Sequence, residues 1–322
     1  MRRPIIFMFS GQGSQYFQMG RELYDHHPRF RLWMDYCDVL VKDATGQSLT
    51  ATLYGGHDRM DRFDDILLTN PALLSIEFCL AKLLQEAGIC PDYLLGYSLG
   101  ELAACVVAEV LSLEQGIRLA TEFAQLLKKK SPAGGMLAIL GNEGMIDDHP
   151  DAFARCSISG RNFDTNFVVS GLEGEIAKLQ AHLGSFGIVT QRLAVNFAFH
   201  SPVIEPLRPF FLQMSGSFDY ARPRIPIISA QKGQGIADVD ETHLWEVIRE
   251  PVDFQSTIAQ LVSRQDCMFV DVGPSGTLST AVKYLLPKNT SSIFLPTLNQ
   301  FAQDRPTLNK AISRLSDAMA LT

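Results

Sequence analysis

The stretch Leu95-Gly96-Tyr97-Ser98-Leu99-Gly100-Glu101 constrains this chain more than any other. Apolar Tyr93-Leu94-Leu95 reads as a strand entering it, and Leu102 to Leu111 as a helix leaving it. A strand that turns directly into a helix forces the residue at the tip into a strained backbone conformation. Flanking glycines let neighbouring backbone pass without a Cβ clash. Gly-x-Ser-x-Gly in that setting is a nucleophile elbow, with Ser98 at the tip and a helix N-terminus aimed at it. That arrangement suits a serine whose product bears an oxyanion. The competing reading is a helix entry with Ser98 as a simple cap; the strand before it and the helix after it favour the elbow.

With 322 residues the chain is long enough for a large core and a subsidiary one. The net charge of −7 and the lack of a basic stripe argue against nucleic acid as a partner. Lys128-Lys129-Lys130 is the densest cationic run and reads as a solvated helix end. Cys37, Cys79, Cys90, Cys105, Cys156 and Cys267 show no CxxC spacing and read as buried free thiols of a reducing compartment, with no zinc site. The segment Pro4 to Phe9 is too short for a signal sequence and reads as a first strand. No run approaches the ~20 apolar residues that span a bilayer, so a cytoplasmic protein without membrane contact is expected.

Along the chain, Met19 to Leu40 has helical patterning. Asn70 to Ala87 reads as a helix with Pro71 near its start, and Leu113 to Lys130 as another. The texture changes at Ser131-Pro132-Ala133-Gly134-Gly135. Met136 to Leu140, Ala154 to Ser159, Phe167 to Ser170 and Ile188 to Val195 read as strands. Helices are expected over Glu143 to Ala152 and Glu173 to Leu183. This β-α-β-β-α-β order is the ferredoxin-like arrangement. The expected division is therefore a small ferredoxin-like subdomain over 134–194, inserted into a large subdomain formed by 1–133 and 195–322.

A serine hydroxyl needs a general base at neutral pH. The leading candidate is His200, within Asn196-Phe197-Ala198-Phe199-His200-Ser201-Pro202, where bulky apolar neighbours would hold the imidazole in a dry pocket. His57 and His243 are competitors in polar, loop-like surroundings. No acid is marked as a third member. Glu205 is the nearest to His200 in sequence, and a main-chain carbonyl could fix the imidazole tautomer instead.

The chain resembles the malonyl-CoA:acyl-carrier-protein transacylase family, the acyltransferases of fatty acid and polyketide synthesis, over nearly its whole length. The resemblance rests on Phe9-Ser10-Gly11-Gln12-Gly13-Ser14-Gln15, the elbow, Asn162 before Phe167-Val168-Val169-Ser170-Gly171, Ala198-Phe199-His200, and Asp271-Val272-Gly273-Pro274-Ser275-Gly276-Thr277-Leu278. It implies an α/β fold: an α/β-hydrolase-like core with a parallel sheet, a ferredoxin-like insert, and a cleft between them. It implies Ser98 as the acyl-enzyme and His200 as its base. The backbone N–H groups of Gln12 and Leu99 would form the oxyanion hole. A main-chain carbonyl near Val247, just ahead of Glu250-Pro251-Val252, would orient His200. It further implies a usually monomeric enzyme without a cofactor of its own, its acyl group arriving on the phosphopantetheine of an acyl carrier protein or on CoA.

Two departures bear on the substrate. Malonyl-specific members carry an arginine on the second helix to meet the acyl carboxylate, and Phe123 stands at that position. A malonyl carboxylate in a dry pocket without its cation loses about 3–5 kcal/mol, or roughly two to four orders of magnitude in affinity. Phe197 replaces the leading histidine of the His-Ala-Phe-His pattern, and Tyr97 the histidine before the serine. Phe123, Phe197, Tyr97 and Asn162 are the expected lining of the acyl pocket. In these respects the chain resembles the discrete acyl hydrolases that accompany trans-acyltransferase polyketide synthases. The expected activity is release of acyl groups from carrier-protein thioesters. The alternatives are transfer of malonyl or uncharged acyl groups onto a carrier, and a non-catalytic carrier-docking subunit.

Overall fold

The computed structural model describes residues 2–231 and 233–320. It is a mixed α/β structure with two sheets. The strands are β1 (Ile5–Phe9), β2 (Tyr93–Gly96), β3 (Gly134–Leu140), β4 (Ser157–Phe163), β5 (Asn166–Leu172), β6 (Thr190–Arg192), β7 (Ile227–Ser229), β8 (Gln234–Ile236), β9 (Val252–Asp253), β10 (Met268–Asp271) and β11 (Ile293–Pro296). The larger sheet has the order β11-β10-β1-β2-β7-β8 and is parallel except for the β7–β8 pair.

A parallel strand with helices on both faces is apolar throughout, and every residue of β1 is buried. Alternation sends Ile5, Phe7 and Phe9 into one core and Ile6 and Met8 into the other. Strand β2 lies beside β1 in the middle of this sheet, so its carboxyl end delivers the Gly96–Gly100 turn to the crevice where ligands of open α/β sheets bind. The smaller sheet has the order β6-β3-β5-β4-β9, with its own core of Leu137, Ile139, Phe167, Val169, Ile176 and Leu179.

Local chemistry moved several expected boundaries. The helix expected over Met19 to Leu40 is two, Arg21–His26 and Pro28–Thr45, because Pro28 restricts His27, which stays extended and caps the second helix. The helix expected from Asn70 begins at Ile66, capped by Asp65, and Pro71 lies inside it. Among the described residues this Ile66–Glu86 helix is the one long and apolar enough to cross a membrane, and 89% of its apolar window is buried inside the protein. The segment expected as one helix over Glu143 to Ala152 is two single turns, Met145–Asp148 and Pro150–Phe153, with Pro150 breaking the continuity. Strand β9 joins the smaller sheet from outside residues 134–194, pairing with β4 at Gly160 and Arg161. Of the six free cysteines, Cys37, Cys79, Cys105 and Cys267 are buried; Cys156 is partly buried, and Cys90 is exposed, contrary to expectation.

Candidate active site

Ser98 sits at φ 55°, ψ −124°, between β2 and the helix Leu99–Val107. An L-residue held there is strained, and such strain concentrates at functional turns. The two glycines are dictated by contact. A Cβ on Gly96 would lie 2.3 Å from Glu101 Cα, and one on Gly100 would lie 2.1 Å from the Phe9 carbonyl oxygen. The turn therefore packs directly on its own helix and on β1, as the sequence pattern leads one to expect.

His200, also at positive φ (57°), is buried and brings Nε2 to 2.8 Å from Ser98 Oγ. Its Nδ1 is 2.7 Å from the main-chain carbonyl of Glu250. A carbonyl can only accept, so Nδ1 carries the proton, and in the neutral ring Nε2 is free to accept from the serine. Burial is the main reason that the imidazole pKa falls to about 4; the nearby Arg249 acts in the same direction, and the Glu250 carbonyl opposes it.

The loop carrying His200 is tied on two sides. Ser170 Oγ on β5 donates to the Phe199 carbonyl at 2.6 Å, and the His200 N–H donates to the Ile248 carbonyl at 3.0 Å. The orienting carbonyl thus belongs to Glu250 and not to Val247. Val247 is still inside the helix Glu241–Arg249, whereas Glu250 is its extended C-cap, whose carbonyl is turned away from the helix ladder. The Val247 side chain instead lines the cleft.

Gln12 reaches the site through the glycine-rich turn after β1. A Cβ on Gly11 would lie 3.1 Å from Ser98 Cβ, so this turn abuts the elbow. The Gln12 side-chain amide donates to Thr69 Oγ1 at 3.0 Å and to Asn70 Oδ1. Behind it, the buried Glu77 carboxyl accepts from the Ser10 N–H at 2.6 Å and the Ser10 hydroxyl at 2.7 Å. Burial holds the Glu77 carboxyl well above the usual carboxylate range. Leu99 is the first residue of its helix, where a backbone N–H has no intrahelical acceptor.

A narrow cleft with a cavity volume of about 50 Å³ opens beside Ser98. Phe123, Phe199, Phe211, Leu102, Leu119, Ala120, Leu244, Val247 and Ile248 supply apolar lining, and Gln12, Asn70 and Leu99 complete it. No lysine or arginine among the described residues lines it. Phe123 meets Phe211 edge-on at 5.2 Å and lies 6.3 Å from Phe199. Asn70 is already engaged, donating to the Ala120 carbonyl at 3.3 Å and accepting from Gln12. Arg118 points away, paired with Glu122 at 2.7 Å.

Three of the four expected pocket residues lie elsewhere. Phe197 stands behind Phe199, ring to ring at 6.1 Å. Tyr97 packs on Phe254 and donates its hydroxyl to Asn162 Oδ1 at 2.9 Å, fastening the elbow to β4. Held by Asn162 and Phe254, Tyr97 misses the cleft, whereas Leu99 on the other side of Ser98 lines it. Phe199 and Phe211 do line it; Phe199 stands beside His200 in the motif, whereas Phe211 carries no local mark in the sequence.

Neither competing histidine approaches Ser98. His57 is exposed and stacks on Phe17 at 4.1 Å. His243 is buried on the Glu241–Arg249 helix, contrary to the loop-like surroundings expected, and lies 2.6 Å from the Glu101 carboxylate. Glu205 pairs with Arg249 at 2.7 Å rather than with His200.

Residues 6–309 match the family model described as an acyl transferase domain. The chain belongs to the acyl transferase family. It is 38% identical over 310 residues to the polyketide biosynthesis acyltransferase homolog PksD of Bacillus subtilis, covering 96% of each chain. It is 34% identical over 311 residues to the corresponding homolog BaeD of Bacillus velezensis, again 96% of each. The acyltransferase domain from the second module of the salinomycin polyketide synthase superposes with a TM-score of 0.82 at 31% identity, over 98% of this chain and 72% of that one.

Proposed function

We propose that this protein is a serine-dependent hydrolase that releases uncharged acyl groups from the phosphopantetheine thioesters of polyketide synthase carrier proteins. The observation that carries the reading is the cleft beside Ser98, where Phe123 and its aromatic neighbours stand and no described cation is available to pair with a malonyl carboxylate. A substrate carboxylate there would be buried without a partner, whereas an alkyl chain gains from leaving water.

Ser98 Oγ attacks the thioester carbonyl while its proton passes to His200 Nε2. The tetrahedral oxyanion is met by the N–H groups of Gln12 and Leu99; a donor of this kind is typically worth about 10²–10³ in rate. Collapse breaks the C–S bond, and the imidazolium returns its proton to the leaving thiolate. A water molecule then attacks the acyl-serine while His200 takes its proton; the second collapse breaks the ester C–O bond, the imidazolium returns the proton to Ser98 Oγ, and free acid leaves. The Glu250 carbonyl keeps Nε2 turned to the serine throughout. The reaction so written uses this chain, the carrier thioester and water, with no cofactor bound to the protein.

Transfer of the acyl group to a carrier thiol is the second reading, favoured by the family match. The spacing of Ser98 and His200 disfavours a purely docking role. The architecture fits an α/β-hydrolase-like core with a ferredoxin-like small subdomain over 134–194. The sheet order β6-β3-β5-β4 places the first and third strands of that segment at its centre, which supports the reading.

The test follows acetyl-carrier and longer acyl-carrier proteins beside malonyl-CoA by intact mass. Release of free acid and holo-carrier in water, with little malonyl loading of Ser98, supports the hydrolase. Efficient malonyl transfer to holo-carrier overturns it.

The base also has a pH signature. Only neutral His200 can accept the serine proton. Because its pKa is lowered to about 4, the acid limb of kcat/KM is expected near pH 4, with activity flat from about pH 5.5 to 8. A pH-rate profile measures this, and a limb at the ordinary histidine value of about 6.5 would show that the ring is solvated.

A further inference from the structure

Behind the reacting pair lies a second buried pair that the chemistry does not touch. Glu101 is the third residue of the helix that Ser98 caps, and it is 1% exposed. Its Oε2 accepts from Ser229 Oγ at 2.7 Å, and its Oε1 lies 2.6 Å from His243 Nε2. An acid at this helical position commonly reaches back to the cap residue's N–H. Here it turns away, into the space between the elbow helix, β7 and the helix Glu241–Arg249.

The position of Glu101 is tied to that of the nucleophile. Its N–H donates to the Ser98 carbonyl at 2.8 Å, and its Cα packs on Gly96, the residue paired with Ser229 in the sheet. The position of His243 is likewise tied to the base. It stands near the start of a nine-residue helix whose far end supplies both carbonyls that hold His200: Ile248 to its N–H and Glu250 to its Nδ1. A helix of that length is a stiff strut about 13 Å long. One end is joined to the serine's helix and the other to the histidine.

We propose that Glu101 and His243 are positioning residues that register the Glu241–Arg249 helix against the elbow helix and so set the approach of His200 Nε2 to Ser98 Oγ. The inference rests on Ser98 and His200 as the reacting pair. It holds whether water or a thiol receives the acyl group.

The experiment measures the rate at which an alkyl fluorophosphonate modifies Ser98, a reaction that needs the dyad but no carrier, together with kcat and KM for acetyl-carrier hydrolysis. His243→Leu removes the contact, and His243→Gln keeps an N–H donor near the same reach. The expected result is a drop of about ten- to a hundred-fold in phosphonylation and kcat for His243→Leu, with KM within about twofold. His243→Gln should recover most of the rate. Val106→Ala, on the elbow helix that carries Glu101 but buried away from the cleft, serves as a control loss of packing and should stay within about twofold of the parent rate.

If folded His243→Leu reacts at the parent rate, or if His243→Gln is as slow as His243→Leu, the proposal falls. Should His243→Leu fail to fold, Glu101→Gln takes its place, with several-fold slower phosphonylation expected and parent-like reactivity overturning the idea. A parent protein in which Ser98 resists the fluorophosphonate would instead count against the catalytic reading itself, so the two failures are distinguishable.

Discussion

Replacing Ser98 by alanine is expected to lower acyl-carrier hydrolysis by at least about 10³-fold and to abolish the acyl-enzyme adduct in the mass spectrum. The magnitude follows from the loss of the covalent step. The proposed oxyanion donors at Gln12 and Leu99 remain but have no bound nucleophile to serve. Stability should change little, because the Ser98 hydroxyl bonds His200 and the turn is held by Gly96 and Gly100 against backbone. Circular dichroism and thermal melting check that the variant is folded. Residual hydrolysis within tenfold of the parent would show that water attacks the thioester without an acyl-serine and would end the proposed mechanism.

The second large effect is expected at Phe123. Phe123→Arg introduces a guanidinium into the cleft beside Phe199 and Phe211, where nothing described now pairs with a carboxylate. With malonyl-CoA, acylation of Ser98 should rise about a hundred-fold, since a buried carboxylate and its bidentate partner are worth several kcal/mol relative to the carboxylate alone. Hydrolysis of apolar acyl-carriers should fall, because the same guanidinium now needs solvation in the place of the alkyl chain. The free protein should lose about 3 kcal/mol of stability from an unpaired buried charge. Intact-mass measurement of the acyl-enzyme with malonyl and acetyl donors reads both changes. A folded Phe123→Arg protein whose malonyl acylation is unchanged would remove residue 123 from the account of specificity.

Much of the site could be read from the chain because it is built of local motifs. The elbow needs a glycine on each side of Ser98 within five residues. The loop holding His200 is set by a short run of aromatic residues ending in Pro202, and the Gly11-Gln12 turn follows a strand of five apolar residues. Periodicity likewise marked the Leu113–Lys130 helix, whose Ser112–Gln115 capping box is local too.

What local pattern could not supply was the direction of side chains and carbonyls across the fold. Tyr97, Asn162 and Phe197 are near the site in sequence or motif but turn to other partners, while Phe211 comes to the cleft from a helix more than a hundred residues after the elbow. His243 reads as a loop residue in the sequence because its immediate neighbours are polar. Its buried partner, Glu101, lies 142 residues away.

The sequence by itself determined that a serine stands at a strained strand-to-helix turn, that a histidine stands in an apolar loop, and that phenylalanine occupies position 123. These depend on residues within a few positions of one another. Only the tertiary structure decided which histidine meets Ser98, that the Glu250 carbonyl and not that of Val247 fixes its tautomer, and which aromatic side chains close the cleft. Each of these depends on where the helix Glu241–Arg249 and the loop before Pro202 come to rest against the elbow. That is a matter of packing between segments 50 to 102 residues apart and more, which no local pattern encodes.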